Sequence, residues 1–255
     1  MNIKYLFCLL ITLYSMSLGY AQCPDSVRVY VYPEVICPGE VVHLSTDSTR
    51  LHCVNIGDII CVHNDSHDTV IVSPSDWTLL GLASSYSPLS VVFFVDSTCR
   101  HGWAVQAKTE PYEKKYWYVK NPQHRFDVTS LLNYNNNMRE ALSDLNGFNN
   151  SIILTTQNTD YTQGKYPAVT YAKNREPFYL PAIGQLNFLY PNTFCINTLC
   201  INYVLEEILL QQQIPTGPWW SSTESNDKTA FALENDEIVT SNKHSSCYVL
   251  PVMNF

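Results

Sequence analysis

The chain has 255 residues, of which 45% are hydrophobic and 15% charged, and its formal net charge is −8. That composition is long and apolar enough to bury a sizeable core, which excludes a disordered polymer. The 15 Lys and Arg residues are scattered along the sequence, which argues against nucleic acid as a partner, because a phosphate backbone is normally met by clustered positive charge.

The N-terminus reads MNIKYLFCLLITLYSMSLGYAQC. Lys4 forms a positive n-region, Tyr5 to Tyr14 a short apolar stretch, and Gly19-Tyr20-Ala21 a small-x-small cleavage signal, so residues 1–21 read as a signal peptide. The expectation is an exported protein starting at Gln22 and residing in the periplasm, on the cell surface or in the medium. A membrane anchor needs about 20 apolar residues, and Ser15, Ser17 and Gly19 interrupt this run. A lipoprotein reading is disfavoured because Gln22, not a small residue, precedes Cys23. No later stretch is long and apolar enough to span a membrane.

Residues 22–50 hold SVRVYVYPEVICPGEVVHLS, where Val27, Val29 and Val31 alternate with Arg28 and Tyr30 before Pro33 and Pro38-Gly39 break the pattern. This predicts a short β appendage ahead of a main domain over 51–255. HCVNIGDIICV and DTVIVS read as strands around the polar loop His63 to Asp68. PLSVVFFVDS is a continuous apolar run of the kind found in buried strands, and HGWAVQA reads as its partner across a turn.

Helical spacing appears later. In LLNYNNNMREALSDLNG, Leu131, Tyr134, Met138, Leu142 and Leu145 recur at helical spacing after a cap at Asp127 or Thr129, and Gly147 reads as the stop. YPAVTYAKN and LPAIGQLNFLY predict two shorter helices, the second with Ile183, Leu186 and Leu189 on one face. INTLCINYVLEEILLQQQ predicts a longer helix ended by Pro215-Thr216-Gly217-Pro218. Strand-like TAFAL, EIVT and CYVLPV follow. Strands, then helices, then strands predict an α+β fold, not a parallel βαβ succession.

Beyond the signal lie eight cysteines: Cys23, Cys37, Cys53, Cys61, Cys99, Cys195, Cys200 and Cys247. An even set in an exported chain reads first as disulfides, although eight allow about 105 connectivities. The competing zinc reading finds no C-x2-C pair.

Taken in order, IGDII, VVFFVDS, HGWAVQA, YPAVTYAKN, FYLPAIGQLNFLY, WWSSTES and the terminal YVLPVMNF resemble a bacterial domain family, domain-of-unknown-function 1566. The resemblance covers roughly residues 50 to 255 and implies a C-type-lectin-like, or sulfatase-modifying-factor-like, fold. It also implies that Trp220 is packed inside at the entry of a core strand and that the hydroxyls of Ser221, Ser222 and Thr223 satisfy nearby backbone. Glu224 would be a buried or half-buried hydrogen-bonding group, and Trp219 the more exposed of the two rings.

Relatives of such a fold include oxidases that form formylglycine with paired cysteines in a Cys-Pro context late in the domain. Cys195, Cys200 and Cys247 lack that context, and Cys37-Pro38 lies in the appendage. No G-x-S-x-G elbow supports a serine hydrolase. His63, Asp65, His67 and Asp68 are residue types that hold zinc or calcium, but their Asn- and Ser-rich setting reads better as a solvated loop. TESND lacks the Glu-Pro-Asn or Gln-Pro-Asp triplet of calcium-dependent lectins. The sequence therefore predicts no enzyme, cofactor or metal.

What remains is recognition of a glycan or a surface protein. By position, the resemblance places the ligand face on Trp219, Asn226, Asp227, Lys228, Asn235, Asp236, Asn242, Lys243 and His244, with Tyr116 and Tyr118 as further stacking groups if exposed. The alternative is a structural or assembly module of the bacterial envelope.

Overall fold

The structure, a computed structural model, describes residues 54–119, 128, 131–157, 165–174, 176–189, 196–235 and 237–255. The expected signal peptide and β appendage, together with Cys23, Cys37, Cys53, Cys195 and Asp236, lie outside the described residues.

The apolar run Ile59-Ile60-Cys61-Val62 begins strand β1 (Ile59–His63), which pairs antiparallel with β2 (Thr69–Val72) and β3 (Tyr86–Val95). Between β2 and β3 lies a short helix, α1 (Pro74–Leu79), which the hydrophobic pattern does not announce. It starts because the Ser73 hydroxyl accepts the Asp76 amide at 3.1 Å and Pro74 occupies the first turn. β4 (Gly102–Gln106) is the expected antiparallel partner of β3. The last strand, β10 (Val252–Asn254), returns to pair with β4, closing a five-stranded sheet of order β10-β4-β3-β1-β2.

A second sheet is built from β5 (Lys114–Tyr116), β6 (Trp219–Glu224), β7 (Thr229–Glu234), β8 (Glu237–Asn242) and β9 (Ser246–Tyr248), in the order β5-β9-β6-β7-β8. Only the β6–β9 pair is parallel; the others are antiparallel. The middle of the chain supplies the helices α2 (Met138–Ala141), α3 (Gly147–Ile152), α4 (Pro167–Lys173), α5 (Ile183–Leu189) and α6 (Ile196–Tyr203). Helices plus two mainly antiparallel sheets make the α+β class expected from the sequence.

Alternation along the strands sorts the core. Ile59, Cys61, Val91, Phe93 and Val105 pack with Ile183, Leu186 and Leu189 of α5, Ile201 of α6, and Trp219 and Phe231 of the second sheet. The intervening Ile60, Val92 and Ala104 face the opposite side, against Phe178 and Met253. Trp220, Ala230 and Ala232 leave the far side of the second sheet to meet Trp117, Tyr166 and Ala168. Helices, Trp77 of α1 and Ala141 of α2 among them, thus share a core with one face of each sheet, and each sheet has a second packed face.

One helical expectation is corrected. Among the described residues, 131–147 are not one helix: they hold only the single turn α2, and Gly147 opens α3 instead of ending a helix. Asn135 and Asn136 adopt positive φ of 47° and 64°, with the Asn133 side chain accepting the Asn135 amide, so asparagine side chains compete with helical hydrogen bonding. Of the stripe that the spacing suggested, Leu131 is buried, whereas Met138, Leu142 and Leu145 are exposed. The helix ending the long INTLC segment is also shorter than expected, passing at Tyr203 into a π-helical turn, Val204–Ile208.

Cys61, Cys99 and Cys247 are free thiols. Cys61 and Cys247 are buried in different core clusters, where they pack as small apolar groups.

Candidate functional site

β6 is buried along its whole length, from Trp219 to Glu224. Trp220 is fully buried, as expected, and its indole N–H donates to the Lys115 carbonyl at 2.8 Å. Trp219 is buried too, at 2% exposure, with its indole donating to the Pro215 carbonyl at 3.0 Å. The expectation of a partly exposed Trp219 is therefore corrected: strand alternation turns the two rings to opposite faces, and both faces are packed. Tyr118 is likewise buried, whereas Tyr116 is half exposed and pairs with Ser246 at the sheet edge.

The hydroxyls of the strand are used internally. Ser221 Oγ donates to the Phe231 carbonyl at 2.7 Å, and Ser222 Oγ receives Asn150 Nδ2 at 3.3 Å. Thr223 Oγ1 donates to the Asp144 carboxylate at 2.7 Å and accepts the Ile183 amide at 2.9 Å. The last bond satisfies a donor in the first turn of α5, which has no intrahelical partner. These groups fasten the helical layer to the second sheet.

Glu224 is completely buried, accepts the Val128 amide through both carboxylate oxygens and forms an ion pair with Lys243. Lys243 is buried at 2% exposure, with its ammonium 4.9 Å from the Trp117 ring centroid. Its assignment to an exposed ligand face is thus corrected: its charge is held inward by Glu224 and the indole face. The sequence signal available was the position of Lys243 among polar turn residues, which says nothing about the carboxylate facing it.

The remaining expected residues fall in three turns. Asn226 Oδ1 accepts the Lys228 and Thr229 amides at 2.8 and 3.0 Å, shaping the β6–β7 turn, and its Nδ2 reaches Asn136 at 3.0 Å. Asn242 Oδ1 accepts the His244 amide at 2.9 Å in the β8–β9 turn, while the His244 ring contacts the Tyr118 carbonyl at 3.2 Å. Thr229 pairs with Asn242, so these two turns share one end of the sheet. Lys228, Asn242 and His244 are exposed there, and Asn226 and Asp227 are half-buried. Asn235, at a φ of 48°, turns β7 into β8 at the opposite end, roughly 17–20 Å away along a strand of this length. It does not join the other turns, because antiparallel pairing sends successive hairpin turns to alternate ends.

The His63 loop is a turn stabilised from within: His63 Nδ1 accepts the Asp65 and Ser66 amides at 3.3 and 3.1 Å. Asp65, His67 and Asp68 are exposed. Among the described residues no helix is long and apolar enough to cross a membrane.

No family model matches the chain, and no curated protein matches it. Among solved structures, the fold is similar to the crystal structure of a fimbrial protein from Bacteroides ovatus, with a TM-score of 0.50 and 17% sequence identity. The match covers 78% of this chain and 49% of the fimbrial one, so the chain spans about half the length of that protein.

Proposed function

We propose that this chain is an exported, non-catalytic assembly subunit of a fimbria-like structure on the bacterial surface. The observation that carries the reading is the fold similarity to a fimbrial protein over 78% of the chain. The geometry of β6 agrees with it. Hydroxyls, carboxylates and the buried Glu224–Lys243 ion pair around that strand are engaged in holding layers together, as expected of a rigid building block. β2 and β8 lie at the outer ends of their sheets, and such edges offer backbone groups for contact with another chain.

Within this reading the architecture is a C-type-lectin-like domain of the domain-of-unknown-function 1566 kind. Its support is the buried Trp-Ser-Ser-Thr-Glu strand and the return of the terminal strand β10 to the first sheet. Residues 1–21 serve as the export signal, and the protein acts at the cell surface.

The test is recovery of the tagged full-length chain from the producing bacterium. Residues are cross-linked on intact cells, and surface appendages are then released by shearing. The chain should appear in the sheared fraction, cross-linked to another appendage subunit. A chain confined to the periplasm and uncross-linked would overturn the proposal.

A second reading, glycan or protein recognition, rests on the exposed cluster Lys228, Asn242 and His244. It predicts that substitutions there abolish adhesion while leaving surface assembly intact.

A further inference from the structure

The turn joining β3 to β4 and residues 254 and 255 border an open cavity of about 310 Å³, lined by Phe94, Asp96, His101, Gly102, Trp103, Asn254 and Phe255. It is separate from β6 and from the three turns already described. Pockets of about this size are large enough for a small ligand.

Its apolar part is aromatic. The Phe94 and Trp103 rings stack at 4.3 Å with 24° between planes, and Phe188 braces both at 4.6 and 5.5 Å. A side chain at Gly102 would meet the Phe255 ring within 2.7 Å, so glycine is what lets that ring lie against the backbone. Trp103, Phe94 and Phe255 are half-buried, leaving part of each ring accessible.

The polar part is oriented yet accessible. Asn254 Oδ1 accepts the Tyr179 hydroxyl at 2.6 Å, which fixes the amide. His101 and Asn254 are exposed and Trp103 half-buried, so the His101 ring, Asn254 Nδ2 and the Trp103 indole N–H are groups a ligand can engage. Asp96 is held by the Thr98 hydroxyl and amide on Oδ1 at 2.6 and 3.0 Å. The Thr98 hydroxyl above all, with backbone amides, keeps this carboxyl below its usual range, so it is ionised and ready to accept.

We propose that this cavity binds a neutral sugar ring, stacked on the Trp103–Phe94 platform and hydrogen-bonded by Asp96, His101 and Asn254. The chemistry selects among ligands. No Lys or Arg lines the cavity, and Asp96 would repel a carboxylate or phosphate. A cation would satisfy Asp96 but has no acceptor for the Asn254 and Trp103 donors. An apolar side chain would leave all the polar groups unsatisfied, at a cost for each one desolvated. A hydroxyl both donates and accepts, and the C–H face of a pyranose suits an aromatic surface.

The experiment titrates the isotope-labelled full-length chain with methyl glycosides of glucose, galactose, mannose and N-acetylglucosamine, following the indole N–H resonances. At least one glycoside should shift the Trp103 resonance saturably, with a dissociation constant of about 1 mM. Trp103→Ala should weaken binding at least about tenfold, the equivalent of one lost anchor. His101→Ala, at an exposed position where folding is not at risk, should weaken it about threefold. The proposal fails if no glycoside moves Trp103, or if both variants bind as the parent does. It also fails if N-acetyl-lysine methylamide or N-acetyl-phenylalaninamide binds in preference, which would make the cavity a dock for a protein side chain. None of these outcomes depends on surface assembly.

Discussion

Lys243 and Glu224 form an ion pair that is out of contact with water on both sides, joining the β8–β9 turn to the end of β6. The pair closes a ring of contacts: Trp117 lies over the ammonium and donates its indole N–H to the Ser221 carbonyl at 2.8 Å, while the Lys243 carbonyl accepts the Tyr118 amide at 3.0 Å. Burying two charges costs several kcal/mol each, offset only if both partners remain. Lys243→Met, which strands the carboxylate, should therefore destabilise the fold by about 3–5 kcal/mol in urea unfolding. The double variant Glu224→Gln with Lys243→Met keeps an acceptor for Val128 without the charge, and should recover about 2 kcal/mol of that loss. Equal stability of the single and double variants would show that the pair is not coupled.

The two tryptophans give a second test. Trp219 and Trp220 are neighbours in sequence but belong to different core clusters, and their indoles donate to different carbonyls, Pro215 and Lys115. Each replacement by alanine should cost about 3–5 kcal/mol. Because they belong to different core clusters, the milder changes Trp219→Phe and Trp220→Phe should add in the double variant to within about 0.5 kcal/mol. A larger discrepancy would mean that the two sides of the second sheet respond together.

Much of this arrangement is legible in the sequence where a local pattern has a single physical solution. The β3–β4 hairpin follows from one apolar run and its partner, and α5 from Ile183, Leu186 and Leu189, all of them buried. Burial of Trp220 and Glu224 was also foreseen. Two of the failures come from contacts made at long range. Lys243 and Trp219 look like surface residues until β6, β9 and the segment around Val128 come together. The apolar spacing from 131 to 145 imitates a helix, yet the Asn133 and Asn137 side chains bond to the local backbone. Asn235 needed only strand counting to be separated from Asn226. The aromatic cavity joins the β3–β4 turn to Asn254 and Phe255, far apart in a chain of 255, which no local pattern reveals.

Gly147 shows how a close approach governs one residue choice. A Cβ there would overlap the Gln185 side-chain carbonyl and the Ala182 amide, and would lie 2.8 Å from the Cα of Pro181. The Gly147 amide itself donates to Gln185 Oε1 at 3.2 Å, and that same oxygen accepts the Ala182 amide at 2.9 Å. Gly147→Ala, ordinarily favourable in a helix, should instead destabilise by about 1–3 kcal/mol through overpacking between α3 and α5. A rise in the thermal midpoint would show that the two helices separate without cost.

Alkaline pH should destabilise the fold, and buried thiols are one reason. Burial pushes the Cys61 thiol from 9.0 up to about 11 and the Cys247 thiol from 9.0 up to about 12; Tyr179 rises from 10.0 to about 12 for the same reason. Each group is neutral when protonated, and each folded value lies above the unfolded one. Their contribution is therefore fully present below about pH 9 and is lost as pH rises toward 11–12, where the unfolded chain releases protons that the folded chain retains. Stability from these groups should be level between pH 7 and 8 and decline above about pH 9. Cys61→Ala should flatten that decline between pH 9 and 11 by up to about 1.4 kcal/mol per pH unit, one proton's worth. In the folded chain at pH 8, Cys61 and Cys247 should resist alkylation by iodoacetamide and react only in denaturant, since the thiolate is the nucleophile and burial suppresses it. Rapid labelling of either thiol in the native protein would show that its cluster opens, and an unchanged slope in Cys61→Ala would place the alkaline loss on Cys247 and Tyr179 instead.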